Sequence, residues 1–449
     1  MSKGIPERAI VIGASLGGLL AARVLFEHFR EVFVLERDEL PETIAQRRGV
    51  PQGRHTHGLL ASGGRALEAL FPNLSKELIE AGAVRGDIAN RSRRFFEGGL
   101  LARFVSGLDG ILMSRPLLEA SVRQRVKAIS NVQLCDRIRV LSLAASSDRA
   151  RITGVRTEDG EWPATLIVDA TGRGSQSPKL LAELGYPVPL EERIEIGLSY
   201  TTRLFRRRSE QLGGDLMAVI PATPSGKRGG VILAQEDDRW TVTLWSYFGN
   251  GPDTDLADFR AFARSLPASH IYDAIQDADP IGEAIASRFP ASVRRRYERL
   301  KAFPSGLIVF GDAISSFNPL HGQGMSVAAQ EALALQREIR GGLDGLATRF
   351  FRSAAKIIDT PWRITASADL RIPETVGPRT TSVRLMNWYM SRLHRAGHRD
   401  AAIALAFHKV VNLIAPAPSL LAPGIIFRVV KGNLLPRSDG VSRSALREA

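Results

Sequence analysis

The sequence predicts an α/β fold in which a doubly wound, Rossmann-like dinucleotide-binding domain receives an inserted antiparallel β-sheet domain and ends in a C-terminal helical region. Three observations support this fold class. A strand–glycine turn–helix–strand unit opens the chain, alternating strand patterns follow from about Ile194, and a second strand–loop–helix unit lies between Gly306 and Ile339. The length of 449 residues is enough for two or three domains, and the hydrophobic content of 44% is typical of a globular protein.

The opening unit contains a strand, a helix and a second strand. Arg8–Ile12 is a short β-branched run that leads into the turn Gly13-Ala-Ser-Leu-Gly-Gly18. An Ala- and Leu-rich run from Leu19 to Phe29 predicts the helix, and Val32–Leu35 predicts the second strand. This pattern is typical of a βαβ unit that binds a dinucleotide.

The residues of the glycine turn and of the second strand's end are candidate dinucleotide contacts. Gly13 permits the tight turn, Gly18 allows close packing of helix on strand, and free N–H groups at the helix start face the pyrophosphate. Glu36 is expected to hold a ribose hydroxyl. Ser15 stands where the G-x-G-x-x-G pattern has its second glycine, so its Cβ narrows the approach to the phosphates, and Gly17 partly compensates. The candidate contacts are Gly13, Ser15, Leu16, Gly17, Gly18, Glu36 and Arg37.

The composition limits which binding partners and which cellular location we expect for the protein. The formal net charge is +13, but the arginines are scattered and no nucleic-acid motif accompanies them. We therefore expect a solvated basic surface and no nucleic-acid partner, with an anionic membrane or a polyanionic cofactor as the alternative explanation of the charge. The single cysteine, Cys135, excludes an internal disulfide and cysteine-rich metal sites, and no signal peptide is visible. The predicted location is the cytoplasm, with peripheral contact to the inner membrane face as an alternative.

A loop rich in glycine, proline and cations runs from Arg47 to Leu59 and leads into a helix from Ser62 to Leu70. His55 and His57 are two residues apart, but neither a carboxylate nor a third histidine lies nearby to complete a metal site. We expect instead that Arg48, Arg54 and both imidazoles face an anionic or planar ligand.

Arg115 opens the next predicted helix. Ser114 is its expected N-cap, Pro116 its N1 residue, and the helix is expected to reach Val126. At that position Arg115 either reaches phosphate or ribityl oxygens or is solvated at the surface, and the sequence leaves both alternatives open.

The middle of the chain is rich in strands. The buried strand Ala164–Asp169 breaks at a turn around Gly172, whose small residues let the backbone lie flat against a cofactor. From about Ile194, four antiparallel strands and a helix from Asp255 to Ser265 predict a second layer that forms one wall of a substrate cavity. The predicted strands before and after that point are Val132–Leu134, Arg137–Ala144, Arg151–Thr157, Ile196–Phe205, Leu216–Ile220, Gly230–Gln235 and Trp240–Phe248.

The second diagnostic stretch begins with the strand Gly306–Phe310, which delivers Asp312. A proline- and glycine-rich loop and a helix from Gly324 to about Ile339 follow. Asp312 is suited to accept hydrogen bonds from sugar hydroxyls, while the N–H groups of the helix start face an electron-rich ring edge. His321 contacts cofactor or substrate, or else is a structural histidine. The candidate residues here are Asp312, Pro319, His321, Gly322, Gly324 and Met325.

These motifs make the chain, over about residues 8–345, resemble the FAD-dependent monooxygenases of the p-hydroxybenzoate hydroxylase-like superfamily. Within them it most resembles the flavin epoxidases of polyether biosynthesis. The shared stretches are Gly13–Gly18, Arg48–His57, Asp169–Ser175 and Gly311–Ser326. The resemblance implies an FAD-binding domain assembled from residues 1–190 and 295–345, a substrate-binding β-sheet domain at 191–294, and a C-terminal helical region at 346–449.

The resemblance also implies the chemistry. Reduced flavin and O2 form a flavin hydroperoxide, whose distal oxygen epoxidises or hydroxylates a hydrophobic, unsaturated small molecule, so the protein mainly positions the substrate and excludes water. His321 is therefore the only candidate catalytic side chain, and no metal is expected. NADH or NADPH is the implied electron donor; because the usual Asp-Gly pair appears as Asp169-Ala-Thr-Gly172, a separate flavin reductase is the alternative. The rival functions are an FAD-dependent reductase or dehydrogenase of an isoprenoid chain and a lipid-binding flavoprotein without turnover.

The C-terminal third ends in two apolar stretches. Arg384–Arg399 is basic and aromatic, with apolar residues at helical spacing, as in a docking face. Val410–Val430 has the length of a membrane span, but three prolines and Gly424 disfavour a spanning helix. The two interpretations are a loop with short helices packed on the core, and an apolar cover at the cavity mouth that receives substrate from an anionic membrane surface.

Overall fold

The computed structural model describes residues 6–434, so residues 1–5 and 435–449 of the first and last predicted domains lie outside the described part of the chain. The strands are β1 (Arg8–Ile12), β2 (Glu31–Leu35), β3 (Val84–Asp87), β4 (Ser92–Phe96), β5 (Gly99–Leu100), β6 (Asp109–Leu112), β7 (Val132–Cys135), β8 (Ser142–Ala145), β9 (Ile152–Thr157), β10 (Gly160–Pro163), β11 (Leu166–Asp169), β12 (Glu191–Arg206), β13 (Met217–Ile220), β14 (Arg228–Gln235), β15 (Arg239–Tyr247), β16 (Pro280–Arg295), β17 (Leu307–Val309) and β18 (Ser315–Ser316). The α-helices are α1 (Leu16–Leu25), α2 (Ala61–Leu70), α3 (Leu74–Glu80), α4 (Arg115–Lys127), α5 (Ser177–Glu183), α6 (Leu256–Arg264), α7 (His270–Ile275), α8 (Gly324–Ile339), α9 (Leu346–Asp369), α10 (Thr381–Gly397), α11 (Ala401–Val411) and α12 (Pro423–Leu434).

The cofactor-binding half is built on a five-stranded parallel sheet of order β17-β11-β1-β2-β7. Because successive strand residues point to opposite faces, Ala9 and Val11 pack into the core that contains α1, α4 and α8, while Ile10 packs into the opposite core. That opposite face is covered by the three-stranded sheet β10-β9-β8. The predicted α/β fold is confirmed, with helices on one face of the parallel sheet and a small antiparallel sheet on the other.

The second layer is an eight-stranded sheet of order β18-β16-β12-β15-β14-β13-β4-β5. One face of β15 carries Trp240, Val242 and Leu244 into a core formed with α6 and α7. The other face carries Thr243, Trp245 and Tyr247 toward a cavity, so Trp240 and Trp245 lie on opposite faces. The sheet therefore forms one wall of a cavity, as the alternating pattern predicts.

Two strands of this sheet carry no clear local signal in the sequence. β16 contains Pro290, which lies opposite the register shift between Glu195 and Leu198, where a missing backbone donor is tolerated. β4 pairs in parallel with β13, although it precedes β13 by more than a hundred residues. The sheet consequently takes strands from outside residues 191–294.

Several predicted element boundaries are wrong. The helix predicted from Leu19 to Phe29 is α1, which begins at Leu16 and ends at Leu25. The strand predicted over Arg137–Ala144 is reduced to β8, which begins at Ser142 and ends at Ala145, and Arg137 itself has a φ of 58°, outside the extended region. In α4 the first residue is Arg115, so Pro116 occupies the second helical position.

The C-terminal region is helical, and its last three helices form a small core of their own with Leu101. The predicted basic aromatic helix is α10, whose N-cap Thr380 accepts a hydrogen bond from Val383 N–H. The stretch Val410–Val430 is broken between α11 and α12 by a 3-10 turn at Ala417–Leu421. Within residues 6–434, no helix combines the length and apolarity needed to cross a bilayer.

Candidate functional site

The glycine turn after β1 forms a tight cradle at the start of α1. Gly13 has a φ of +101°, and a Cβ there would lie 2.9 Å from the carbonyl oxygen of Ala170. A Cβ on Gly18 would overlap the carbonyl oxygen of Gly13, which explains why both positions need glycine. The N-cap Ser15 makes no side-chain cap, so the N–H groups of the first turn have no side-chain acceptor and suit a phosphate.

A buried charge network surrounds this helix start. Arg47 lies 2.6 Å from carboxylate oxygens of both Glu36 and Glu119 and donates to the carbonyl oxygen of Ala14. Arg115 donates to Glu119 Oε2 and, at 3.0 Å, to Ser15 Oγ. The serine that replaces a motif glycine therefore ties α1 to α4.

Glu36 is held in place by the same network. Its Oε2 accepts the Ala14 N–H at 2.9 Å and its Oε1 accepts the Asp38 N–H at 3.2 Å. Its predicted contact with a ribose hydroxyl would add to these bonds. Arg37 and Arg48, the arginines selected from the sequence, are exposed, whereas Arg47 is 5% exposed and reaches the cradle. Arg47 is thus a site residue that the sequence reasoning missed, because no periodicity in the loop distinguishes it from Arg48.

Three further turns lie on the same side of the parallel sheet: one at Gly172, one at Asp312 and one at Gly322. Asp169 accepts hydrogen bonds from the hydroxyls of Thr171, Ser175 and Ser177, and these bonds shape the turn at Gly172, which has a φ of +74°. Asp312 follows β17 and is exposed, with its Oδ1 3.4 Å from the position of a Cβ on Gly324. The backbones of Gly322 and Gly58 touch, since a Cβ on Gly322 would lie 3.4 Å from the Gly58 Cα. A Cβ on Gly172 would lie 3.9 Å from the Asp312 Cβ, so these two predicted cofactor residues of the two halves are neighbours.

The start of α8 has the features expected at a ring edge. Its N-cap Gln323 makes no side-chain cap and instead accepts a hydrogen bond from Thr365, so the N–H groups after Gly324 have no side-chain acceptor. Met325 is 8% exposed in the first turn. Glu331, two turns further along α8, accepts the Gly311 N–H at 2.8 Å and supports the Asp312 turn from beneath.

A buried hydrogen-bond network lies under the loop Pro319–Gly322. Asn318 donates to Asp369 Oδ1 at 2.8 Å and to the Tyr247 hydroxyl at 3.0 Å, and that hydroxyl donates to the same carboxylate at 3.0 Å. Burial, followed by the Asp369 charge, raises the pKa of Tyr247 well above its ordinary value, so the phenol remains a donor. The candidate His321 lines the cavity with its Nε2 3.5 Å from Asp369 Oδ1.

The two histidines of the Arg47–Leu59 loop are neutral at physiological pH. His55 bonds through Nδ1 to Thr202 at 2.8 Å and through Nε2 to Ser287 at 2.7 Å, and burial lowers its pKa to about 4. Burial, with Arg115 nearby, lowers the pKa of His57 to about 3. Both ring nitrogens of His55 are occupied by sheet hydroxyls, so a cofactor contact of His55 would use the ring face or its carbons. No cluster of three or more potential metal ligands occurs among the described residues.

A cavity of about 690 Å³ lies between the eight-stranded sheet, the Pro319–Gly322 loop and the C-terminal helices. Its sheet wall is mostly apolar or aromatic, and its helical wall includes Met386 and Met390 of α10 and Val410 of α11. His55, Tyr247 and His321 lie where the cavity meets the loops of the cofactor cradle. The cavity is large enough for a sizeable small molecule.

The comparisons with known proteins agree with this geometry. Protein Rv3254 of Mycobacterium tuberculosis is 34% identical over 451 residues, covering 95% of this chain and 94% of that protein. A "probable FAD-dependent monooxygenase", PqsL of Pseudomonas aeruginosa, has a similar fold, with a TM-score of 0.60 and 17% identity over 81% of this chain and 97% of PqsL. The flavin-dependent brominase Bmp2 gives a TM-score of 0.64 and 13% identity over 95% of this chain and 98% of Bmp2.

The family model described as "FAD binding domain" matches residues 7–350, which include both cradle motifs and the inserted sheet. The open glycine backbone, the two uncapped helix starts and the exposed Asp312 fit such a cofactor, whose pyrophosphate and ring need N–H donors at two separate places. The chain therefore belongs to the FAD-binding domain family, and its cofactor is FAD.

Proposed function

We propose that the protein is an FAD-dependent monooxygenase that inserts one oxygen atom of O2 into a hydrophobic, unsaturated small molecule by epoxidation or hydroxylation. The observation that carries this proposal is the cavity of about 690 Å³, which is lined both by the predicted flavin loop Pro319–Gly322 and by an apolar sheet face. Such a cavity would hold an apolar substrate directly beside the cofactor and away from water.

FAD, when bound and reduced, supplies the activation of O2, and the chain's own residues position the reactants. The N–H groups at the start of α8 would stabilise negative charge on the ring. Asn318, Tyr247 and Asp369 fix the loop Pro319–Gly322 through their shared hydrogen bonds, and this loop would contact the cofactor. His321, 3.5 Å from Asp369 and open to the cavity, is placed to hold or deliver a proton through its imidazole.

The electron donor is proposed to be NADH or NADPH, bound transiently, or reduced flavin supplied by a partner reductase. The described residues contain one parallel βαβ unit with the glycine fingerprint, and FAD would occupy it. A nicotinamide would therefore use the open cleft rather than a second nucleotide fold.

We further propose that substrate reaches the cavity from an anionic membrane surface. Helix α10 lines the cavity and α12 packs against α10. Large apolar side chains on these two helices are exposed: Leu385, Trp388, Ile426, Phe427, Val430 and Leu434. Arg384 and Lys431 are exposed on the same helices with no carboxylate oxygen within 4 Å among residues 6–434. Apolar side chains beside unpaired cations favour an interface with anionic headgroups over a neutral partner.

Oxygen uptake separates this proposal from its rivals. The purified protein is mixed with reductant and a lipid extract, and oxygen consumption and products are followed together. A monooxygenase couples oxygen consumption to a product that has gained one oxygen atom. A reductase or dehydrogenase changes the substrate without that oxygen, and a binding protein produces no new molecule; either result would refute the proposal.

A further inference from the structure

An arginine on β4 projects into the cavity away from the cofactor loops. Strand alternation turns Ser92, Arg94 and Phe96 toward the cavity, while Phe95 packs toward the core behind the sheet. Its neighbour Arg93 points the other way and pairs with Asp215 at 2.9 Å. Arg94 is therefore the residue through which this strand presents a charge to the cavity.

Arg94 has no counter-charge among residues 6–434. No carboxylate oxygen of the described residues lies within 4 Å of its guanidinium, and its Nε is buried without a hydrogen-bond partner. The other cavity arginines differ, since Arg371 pairs with Glu97, Arg363 lies 3.8 Å from Asp359, and Arg91 donates to the Gly214 carbonyl oxygen. Burial lowers the pKa of Arg94 to about 10, so it stays charged at neutral pH.

The polar groups beside Arg94 do not neutralise it. His394 and His408 are buried, and burial lowers the pKa of each to about 3, so both are neutral. The ionised Asp87 carboxylate lines the same cavity, but it forms no ion pair with Arg94, and its oxygens accept hydrogen bonds from donors in its own loop. Those donors are the backbone N–H groups of Ala89, Asn90, Ser106 and Gly107 and the Ser106 hydroxyl.

The position of Arg94 also sets a minimum length for a ligand that reaches from Arg94 to the flavin loop. β4 is separated from β15, which carries Trp245 and Tyr247, by β14 and β13. The register aligns Arg94 with Val219, Val231 and Thr243, so three strand spacings put about 14 Å between Arg94 and Thr243. Tyr247, which contacts Asn318 under the flavin loop, lies four residues further along β15 and is therefore more distant still. A ligand that touches both Arg94 and the flavin loop must be elongated, and its middle must be apolar to match Val219, Val231 and Leu233.

We propose that Arg94 binds the carboxylate of an elongated apolar acid, whose far end lies beside the flavin loop. This inference rests on the proposed function for its substrate, but it concerns binding alone. An unpaired charge in an apolar cavity is unfavourable until an anion arrives, and the planar guanidinium matches a carboxylate through two parallel hydrogen bonds. One guanidinium balances one monoanion, which favours a carboxylate over a phosphate dianion.

The test measures binding by calorimetry to the FAD-loaded protein, with n-alkanoates of eight to twelve carbons below their micelle concentrations and the matched 1-alkanols below their solubility limits. The wild-type protein should bind its best alkanoate about tenfold or more tightly than the alkanol of equal length, as a charge-assisted hydrogen bond implies. Arg94→Met should abolish this preference, and Arg94→Lys should keep part of it. Arg363→Met is the control and should leave the preference unchanged, because Arg363 is exposed and already has a carboxylate neighbour.

Two results would overturn the inference: a wild-type protein that binds no acid of the series more tightly than its alcohol, and a folded Arg94→Met variant that keeps the wild-type preference. Neither depends on oxygen uptake. If the acids bind through Arg94 but oxygen is not coupled to product, the monooxygenase proposal fails and this inference stands. If oxygen is coupled but the acids have no advantage, this inference alone fails.

Discussion

Glu331 allows the electrostatics beneath the cofactor loop to be tested quantitatively. Its side chain is 0% exposed within α8, its Oε2 accepts the Gly311 N–H, and its Oε1 is buried without a partner. Its pKa is raised from 4.5 to about 8: burial is the main cause, the Gly311 hydrogen bond opposes the shift, and the nearby Asp312 charge adds to it. The folded protein thus keeps a proton on Glu331 at neutral pH.

The sign of the effect follows from proton linkage. Below the unfolded pKa both states are protonated and there is no penalty; between the two pKa values the unfolded chain releases a proton that the native state retains. The free energy of unfolding therefore falls as pH rises, by about 1.4 kcal/mol per pH unit from this group. Between pH 5.5 and 7.5 the loss amounts to about 3 kcal/mol.

Glu331→Gln keeps an acceptor for the Gly311 N–H and removes the titration. We expect the free energy of unfolding of the variant, measured by urea unfolding at saturating FAD, to gain about 3 kcal/mol relative to wild type between pH 5.5 and 7.5. Glu338→Gln, on the same helix, is the control. The Ser353 hydroxyl and then Arg337 lower the Glu338 pKa, so that group is ionised throughout this range and its variant should run parallel to wild type. A Glu331→Gln curve parallel to wild type would refute the assignment of a buried, protonated carboxyl.

Three further predictions concern the cradle and the helical cover. Gly13→Val and Asp312→Ala should each lower the flavin content measured by absorbance. In the first variant a side chain would meet the Ala170 carbonyl, and in the second the proposed acceptor for the sugar hydroxyls is lost. Full flavin occupancy in both variants would remove these residues from the site. Arg47→Met should lower the free energy of unfolding by about 3–5 kcal/mol, because it leaves two buried carboxylates without their cation. The control, Arg48→Met at the exposed neighbour, should change the free energy of unfolding by less than about 0.5 kcal/mol. Equal effects of the two substitutions would contradict the charge network. Binding to liposomes rich in phosphatidylglycerol should weaken as salt rises and should be reduced by Trp388→Ser and Phe427→Ser, and unchanged binding in both variants would exclude this face as the membrane contact.

Local patterns predicted the parts of the cradle that depend on backbone conformation. The roles of Gly13 and Gly18 could be predicted from the sequence because they depend on a turn and a close helix–strand contact within one βαβ unit. The positions of Asp312 and of the start of α8 could be predicted for the same reason, since a strand, a loop and a helix follow one another directly in the chain. The alternation over β13, β14 and β15 likewise predicted one buried face and one cavity face.

The residues that sequence reasoning missed depend on contacts between distant segments. Arg47 differs from Arg48 only because Glu119, on α4, lies where it can pair with the first of them. The sequence around Arg94 does not indicate that this residue faces a cavity, because its position there follows from the parallel pairing of β4 with β13. A local pattern specifies neither a remote ion pair nor a remote strand partner, so these two arginines required the structure.

The central claim is that this chain transfers one oxygen atom from O2 to a small molecule, and isotope labelling tests it most directly. The FAD-loaded protein is incubated under oxygen-18 gas with reductant and a lipid extract enriched in long-chain acids, and the products are analysed by mass spectrometry. The account predicts a product that carries one heavy oxygen atom and that is absent when FAD is removed. A product without the label, or oxygen consumed only to hydrogen peroxide with every extract fraction, would contradict it.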